Sequence, residues 1–369
     1  MSVDWDAVRA QFPALQNWTY LNTATYGQVP RRATERLASH FAHRDELACW
    51  DFVTWFDDMD RVRDLIGRLI HCERNDIAFV QNASTALALI VGGLDWKQGD
   101  RVVTLEGEFP NNIYAPSVLA RRGIDFVETS WENFYAAVDD RTRLVAISSA
   151  NYITGFVPPL EEISAFLRRR GVLLYVDGTQ TVGALQFDVR CVQPDMLAVH
   201  GYKWLNSPDG AAFMYVAPGL RQQLDPVVVG WRSHRGWRNV DNLHHGVPEF
   251  AESAEKYEGG MLPFALLYAM GASIEFILEI GPDAIERRVL GLAEQVREIA
   301  RRLGGEPVSV DSAIVSVRFP GRDPSPLARA LKEKHVLVAA RHGLLRISPH
   351  FYNNESDLEQ LSNALTHSL

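Results

Sequence analysis

Lysine is scarce in this chain, and one of its few copies stands where an amine could do chemistry. Lys97, Lys203, Lys256, Lys332 and Lys334 are the whole supply, and only Lys203 follows directly on an apolar run of strand length, MLAVHGY. An amine placed at the end of a buried strand loses hydration, which lowers its pKa toward the neutral, nucleophilic form that makes Schiff bases. A second apolar run, LLYV, ends in Asp177, 26 positions upstream. A carboxylate beside such an amine would hold the proton on a heterocyclic nitrogen. Read singly, Asp177 would cap a strand-to-helix turn and Lys203 would lie on the surface, so the pair carries weight only in company.

Other polar groups sit in the same kind of place. After the run IAFV come Asn82, Ala83, Ser84 and Thr85, which turn into the helical pattern TALALIVGGL. Such a turn leaves backbone N–H groups free at a positive helix end, where a phosphate binds well; an ordinary helix cap is the alternative. The strand RVVTLE leads to the loop GEFPNN, and its Phe109 would either stack on a flat ligand or fold onto the core. The strand LVAISSA delivers Asn151 and Tyr152. Arg346 lies among apolar neighbours in LLRISP, where a guanidinium is costly unless it meets a carboxylate.

The elements that must position these groups follow from periodicity. Residues 1–20 read as an N-terminal arm with one helical turn, and a helical pattern rich in aromatics runs from Arg31 to about Ile70. From Asp76 to Tyr215 short strands alternate with helices, the mark of a doubly wound sheet. Glu258-Gly259-Gly260 is a joint, which places a large domain at 21–260 and a small α+β domain at 261–369, with the arm packed against the latter. The small domain reads as two long helices, a strand SAIVSVRF, a helix from Ser325, a hairpin VLVAA-RHG-LLRISP and a closing helix from Ser356.

Composition excludes several classes. At 369 residues the chain exceeds one typical core, and 47% hydrophobic residues are ample for two. A formal charge of -9 argues against nucleic-acid binding, which draws on clustered cations. Cys49, Cys72 and Cys191 are too scattered for a disulfide framework or a metal cluster, and the adjacent His244 and His245 have no partner ligands at metal-binding spacing. No metal site is expected. The amino terminus carries acidic residues rather than a secretory pattern, and no apolar stretch is long enough to span a bilayer, so a cytoplasmic, membrane-free protein is expected.

Taken together, YVDGTQ, HGYKWLNSPDG, QNASTA, GEFPNN, NYITG and LLRISPHFYN are similar, in matching order over nearly the whole chain, to the class V aminotransferase family of fold-type-I pyridoxal phosphate enzymes. That resemblance implies an α/β fold with a mostly parallel seven-stranded sheet between helices and a smaller C-terminal domain. It implies that Lys203 carries the cofactor as a Schiff base and moves the proton at the substrate α-carbon, with Asp177 on the pyridine nitrogen. Gln180 would bond near the ring hydroxyl, Phe109 would stack on the ring, and Asn151 and Tyr152 would border the cofactor. Ala83 and Ser84 would hold the phosphate, helped by His200 and Tyr202, and Arg346 would hold the carboxylate of a small amino-acid substrate. A homodimer is expected on the same ground.

The resemblance leaves the reaction open between transaminase and lyase chemistry. Desulfurases of the family carry a cysteine just before the carboxylate arginine; here that loop is RHGLL, without cysteine. Gly260 stands where many relatives place a threonine that reaches a neighbouring phosphate. GEFPNNIY, GYKWLN and the tryptophan of VGWRSH lean toward kynureninase-like hydrolysis, whereas GWRSHRGW is closer to epimerase-like members. A cofactor-binding regulatory protein without turnover is the non-enzymatic alternative, and the presence of both Lys203 and Arg346 argues against it.

Overall fold

The computed structural model describes residues 3–369. Thirteen strands are described: β1 (Thr19–Tyr20), β2 (Ile77–Val80), β3 (Arg101–Leu105), β4 (Asp125–Thr129), β5 (Thr142–Ser148), β6 (Leu173–Asp177), β7 (Met196–His200), β8 (Ala212–Val216), β9 (Glu306–Pro307), β10 (Val315–Arg318), β11 (Val336–Leu337), β12 (Ala339–Arg341) and β13 (Leu344–Ile347). Seven of them form one sheet in the order β2-β8-β7-β6-β5-β3-β4. Within it β8 alone runs against its neighbours β2 and β7; the remaining pairings are parallel, as expected.

The central strands read as unbroken apolar runs because both faces of the sheet are covered. Along β5, Val145 and Ile147 join one core while Leu144 and Ala146 join the other, the period of two that a pleated strand imposes. Parallel strands also bring their carboxyl ends to a common edge. The segments after β2, β3, β5, β6 and β7 therefore open on one side of the sheet, where ligands of such folds bind.

Four strands, β12-β13-β10-β9, make a smaller antiparallel sheet. Its core joins Val315, Val317, Leu345 and Ile347 to Leu292, Leu331, Leu358 and Leu361. The arm reaches this body: β1 pairs in parallel with β11, and Arg9 clasps Asp357 through both terminal nitrogens at 2.7 and 3.0 Å. Helix Phe264–Ile280, the first after Gly260, packs instead on helices Arg31–Leu47 and Thr54–Ile70, with Phe264 edge-on to Trp55 at 5.4 Å. Within Glu258-Gly259-Gly260, the Glu258 side chain is fully buried and meets Arg63 and Arg232, each at 2.6 Å.

Two local readings are corrected. The helical run expected from Arg31 to Ile70 breaks at Ala48 and Cys49, whose φ angles of 51° and 63° end the first helix in the left-handed region. The expected hairpin arm VLVAA is two strands, because β11 turns to β1 and only β12 pairs with β13. The turn between β12 and β13 is His342-Gly343, both at positive φ, a two-residue connection whose twist matches the flanking strands. The edge strand β4 is half-exposed and polar and lacks the apolar run that marks its neighbours. Among the described residues no single helix is long and apolar enough to cross a membrane.

Candidate active site

Lys203 follows β7 and is buried at 6% exposure, its Nζ 5.5 Å from the centre of the Phe109 ring and 5.3 Å from that of Tyr202. Burial lowers its pKa to about 8; Asp177 opposes that shift, whereas Arg346 and Arg341 add to it. The amine is thus substantially neutral in mildly alkaline water, where an exposed lysine is not. The backbone that carries it is pinned by the segment before helix Arg31–Leu47. Gly27 donates its amide to the Tyr202 carbonyl at 2.8 Å, and a Cβ at residue 27 would lie 1.9 Å from the Lys203 oxygen. Only glycine permits that approach.

Asp177 ends β6 and accepts from the Thr179 amide at 3.0 Å. Burial pushes its carboxyl above the usual range, and the Thr179 bonds and the Lys203 charge pull the other way. A cationic N–H set against this carboxylate would remove the cost that burial imposes. The two residues line one cavity together with Ala83, Ser84, Phe109, Tyr152, Gln180, His200 and Tyr202. The structure therefore brings nine predicted residues, carried by five different strand ends, to a single place.

Each has a local cause. Asn82 caps helix Ala83–Gly93 by accepting from the Thr85 amide at 2.9 Å, and the Ala86 amide bonds the Asn82 carbonyl, which leaves the Ala83 and Ser84 amides facing outward without partners among the described residues. Phe109 precedes helix Pro110–Ser117, remains 41% exposed and stands edge-on to Tyr152 at 5.2 Å, so it overhangs the cavity rather than folding onto the core. His200 has its ring against Tyr202 at 4.3 Å, its Nε2 is buried without a partner, and burial followed by the Lys203 charge lowers its pKa to about 4. Gln180 has less freedom than expected: its carbonyl accepts from the Trp204 indole at 3.0 Å and its amide donates to the Ala24 carbonyl at 3.2 Å.

Asn151 does not join the group. Its amide donates to the Gly107 carbonyl and its oxygen accepts from the Ile153 and Thr154 amides, so it ties a turn beside a neighbouring pocket. Arg346, on β13, is not among the residues that line the cavity and borders it through Tyr152: its terminal nitrogens donate to the Tyr152 carbonyl and the Thr25 hydroxyl, both at 2.6 Å. It is 1% exposed, its Nε has no partner, and burial, then Arg341, lowers its pKa to about 10.

Several contributors escaped sequence reasoning. Glu108 is buried between Ser148 and Asn112, accepting from the Ser148 amide at 2.7 Å and the Asn112 amide at 3.0 Å, and so fixes the loop that presents Phe109. Its place next to Phe109 in GEFPNN was the available signal. Thr25 and Gly27 had none, because their role depends on segments far away in sequence.

An amine, a carboxylate, an overhanging aromatic, an unpaired imidazole nitrogen and two free helix-end amides suit a flat, phosphorylated heterocyclic aldehyde. Residues 52–361 match the aminotransferase class-V family, and the chain belongs to that family of pyridoxal phosphate enzymes. Among curated relatives it is 25% identical to a probable cysteine desulfurase of Methanothermobacter thermautotrophicus, over 97% of this chain and 96% of that one. It is 28% identical to isopenicillin N epimerase of Streptomyces clavuligerus, over 98% of each. Among solved structures, a mutant of C-DES with glycine covalently linked to its PLP cofactor superposes with a TM-score of 0.89 at 22% identity, over 98% of this chain and 99% of that one, a likeness of fold.

Proposed function

We propose that the chain is a pyridoxal phosphate enzyme that transforms a small amino acid by moving the proton at its α-carbon, in the transaminase or lyase range. The observation that carries this reading is the meeting of the Lys203 amine and the Asp177 carboxylate in one cavity beneath Phe109. When bound, the cofactor supplies an electron sink for the bond that breaks at that carbon. Lys203, with its amine pKa lowered to about 8, takes the α-proton and returns it. Asp177 holds a proton on the ring nitrogen, the Ala83 and Ser84 amides hold the phosphate, and Arg346 holds the substrate carboxylate through its unused Nε edge.

No thiol takes part. None of Cys49, Cys72 and Cys191 lines the cavity, and burial followed by Asp76 pushes the Cys72 thiol up to about 12. A protein-bound persulfide is therefore outside the proposal, although relatives are named desulfurases. An epimerase reading is favoured by one observation: the Tyr152 hydroxyl, at the cavity wall, pairs with His342 Nε2 at 3.1 Å, which offers a second proton carrier besides Lys203. A homodimer belongs to the same proposal, supported by the exposed Phe41, Trp50 and Met261 along an apolar groove and its margin.

Borohydride reduction of the cofactor-loaded protein, followed by peptide mass spectrometry, tests the assignment without any substrate. The expected result is a pyridoxyl mass increment on the peptide that holds Lys203, lost in Lys203→Ala. An increment on another lysine, or none, removes the proposal.

A further inference from the structure

A second guanidinium stands beside the carboxylate-binding one. Arg341 lies on β12 and Arg346 on β13, and the register pairs Ala339 with Arg346. Residues directly opposed across a strand pair share a face, and so do residues two apart along one strand, which puts Arg341 and Arg346 on the same face of the hairpin. Both reach one atom: Arg346 Nη2 donates to the Thr25 hydroxyl at 2.6 Å and Arg341 Nη2 to the same oxygen at 3.4 Å. The other bonded nitrogens go to backbone carbonyls, of Tyr152 and Ala340. Neither side chain has an Asp or Glu within ion-pair distance among the described residues.

Two like charges gathered on a neutral hydroxyl, one of them 1% exposed, are unfavourable without an anion. Arg346 shows the strain in two ways: its Nε is buried and unpartnered, and Arg341 adds to the burial that lowers its pKa. A single α-carboxylate would answer one guanidinium. A second acid group, carried on the substrate side chain, would answer the other.

Resting on the proposed function, we infer that the site takes amino acids with an acidic side chain, Arg346 holding the α-carboxylate and Arg341 the distal acid group, with Thr25 setting the distance between them. Charge-assisted bonds to guanidinium are worth enough that the distal contact changes affinity about tenfold or more. The compact Thr25 hydroxyl keeps the two cations close, which favours a short side chain such as that of aspartate or glutamate.

The test titrates cofactor-loaded protein with L-aspartate, L-glutamate and L-alanine, reading the change in cofactor absorbance. Wild type is expected to bind an acidic amino acid at least tenfold more tightly than alanine, and R341Q to collapse that ratio toward one, with R341K restoring part of it. In cofactor-free protein, succinate is expected to raise the melting temperature more than acetate does, and R341Q to remove the difference. Near-UV circular dichroism identifies an R341Q that misfolds; Thr25→Val, which removes the shared hydroxyl, then serves as the second variant and is expected to lower the same ratio. Equal affinity for alanine and both acidic amino acids in wild type overturns the inference while leaving the proposed function intact. Failure of the proposed function shows separately, as the missing pyridoxyl mark on Lys203.

Discussion

Gly27→Ala is the sharpest probe of how Lys203 is held. The added Cβ would sit 1.9 Å from the Lys203 carbonyl oxygen and 2.8 Å from its carbon, where contacts under 3.0 Å are essentially never found. Something must retreat by about 1 Å, and the obstacle is backbone, so no rotamer change relieves it. The Gly27 amide also bonds the Tyr202 carbonyl at 2.8 Å, so the two segments move together or that bond breaks. Overpacking of this kind costs about 1–3 kcal/mol of stability, and a misplacement near 1 Å costs on the order of a hundredfold in rate. Urea denaturation gives the first quantity. The second comes from the rate at which cofactor-free protein captures pyridoxal phosphate, followed by absorbance, because capture depends on the amine's position and needs no knowledge of the substrate. A variant within about 0.5 kcal/mol of wild type that captures the cofactor at an unchanged rate would refute the claim that residue 27 sets the lysine's place.

Two further outcomes are expected. The capture rate should rise with pH and level off near pH 8, because the Lys203 amine is lowered to about 8 and only its neutral form attacks; Asp177 favours the charged amine, so Asp177→Asn should move the bend to lower pH. A bend near 10.5, the ordinary lysine value, or an upward move in the variant, would contradict the burial argument. Glu258→Gln should cost about 3 kcal/mol or more in urea unfolding, since it leaves the buried Arg63 and Arg232 without their shared carboxylate; a loss under about 1 kcal/mol would mean that the neighbouring acids Asp60 and Glu255 suffice.

What could be read from the residues alone follows the range of the forces involved. The runs IAFV, LLYVD and MLAVH are apolar without alternation because two cores press on them, and that local record is enough to place the strands. Asp177, Lys203, Phe109 and Ser84 stand immediately after such runs, so their convergence follows from the parallel arrangement. Asn151 occupies an equivalent place and still turns away, because an asparagine oxygen is satisfied by the amides of its own turn before any ligand arrives. The break at Ala48 was illegible for a related reason: two left-handed residues without glycine leave no mark in composition.

The parts of the site that stayed hidden are those assembled across the chain. Thr25 and Gly27 touch Arg346 and Lys203, residues far along the sequence, and nothing near positions 25–27 signals either contact. Those contacts nevertheless join the two sheets at the cavity. The segment that presses Gly27 on the Lys203 backbone also presents Thr25 to the arginines of the small sheet, and β1 just before it pairs with β11. Thr25→Val, which keeps the β-branch and removes the hydroxyl, cuts that connection without touching a charge.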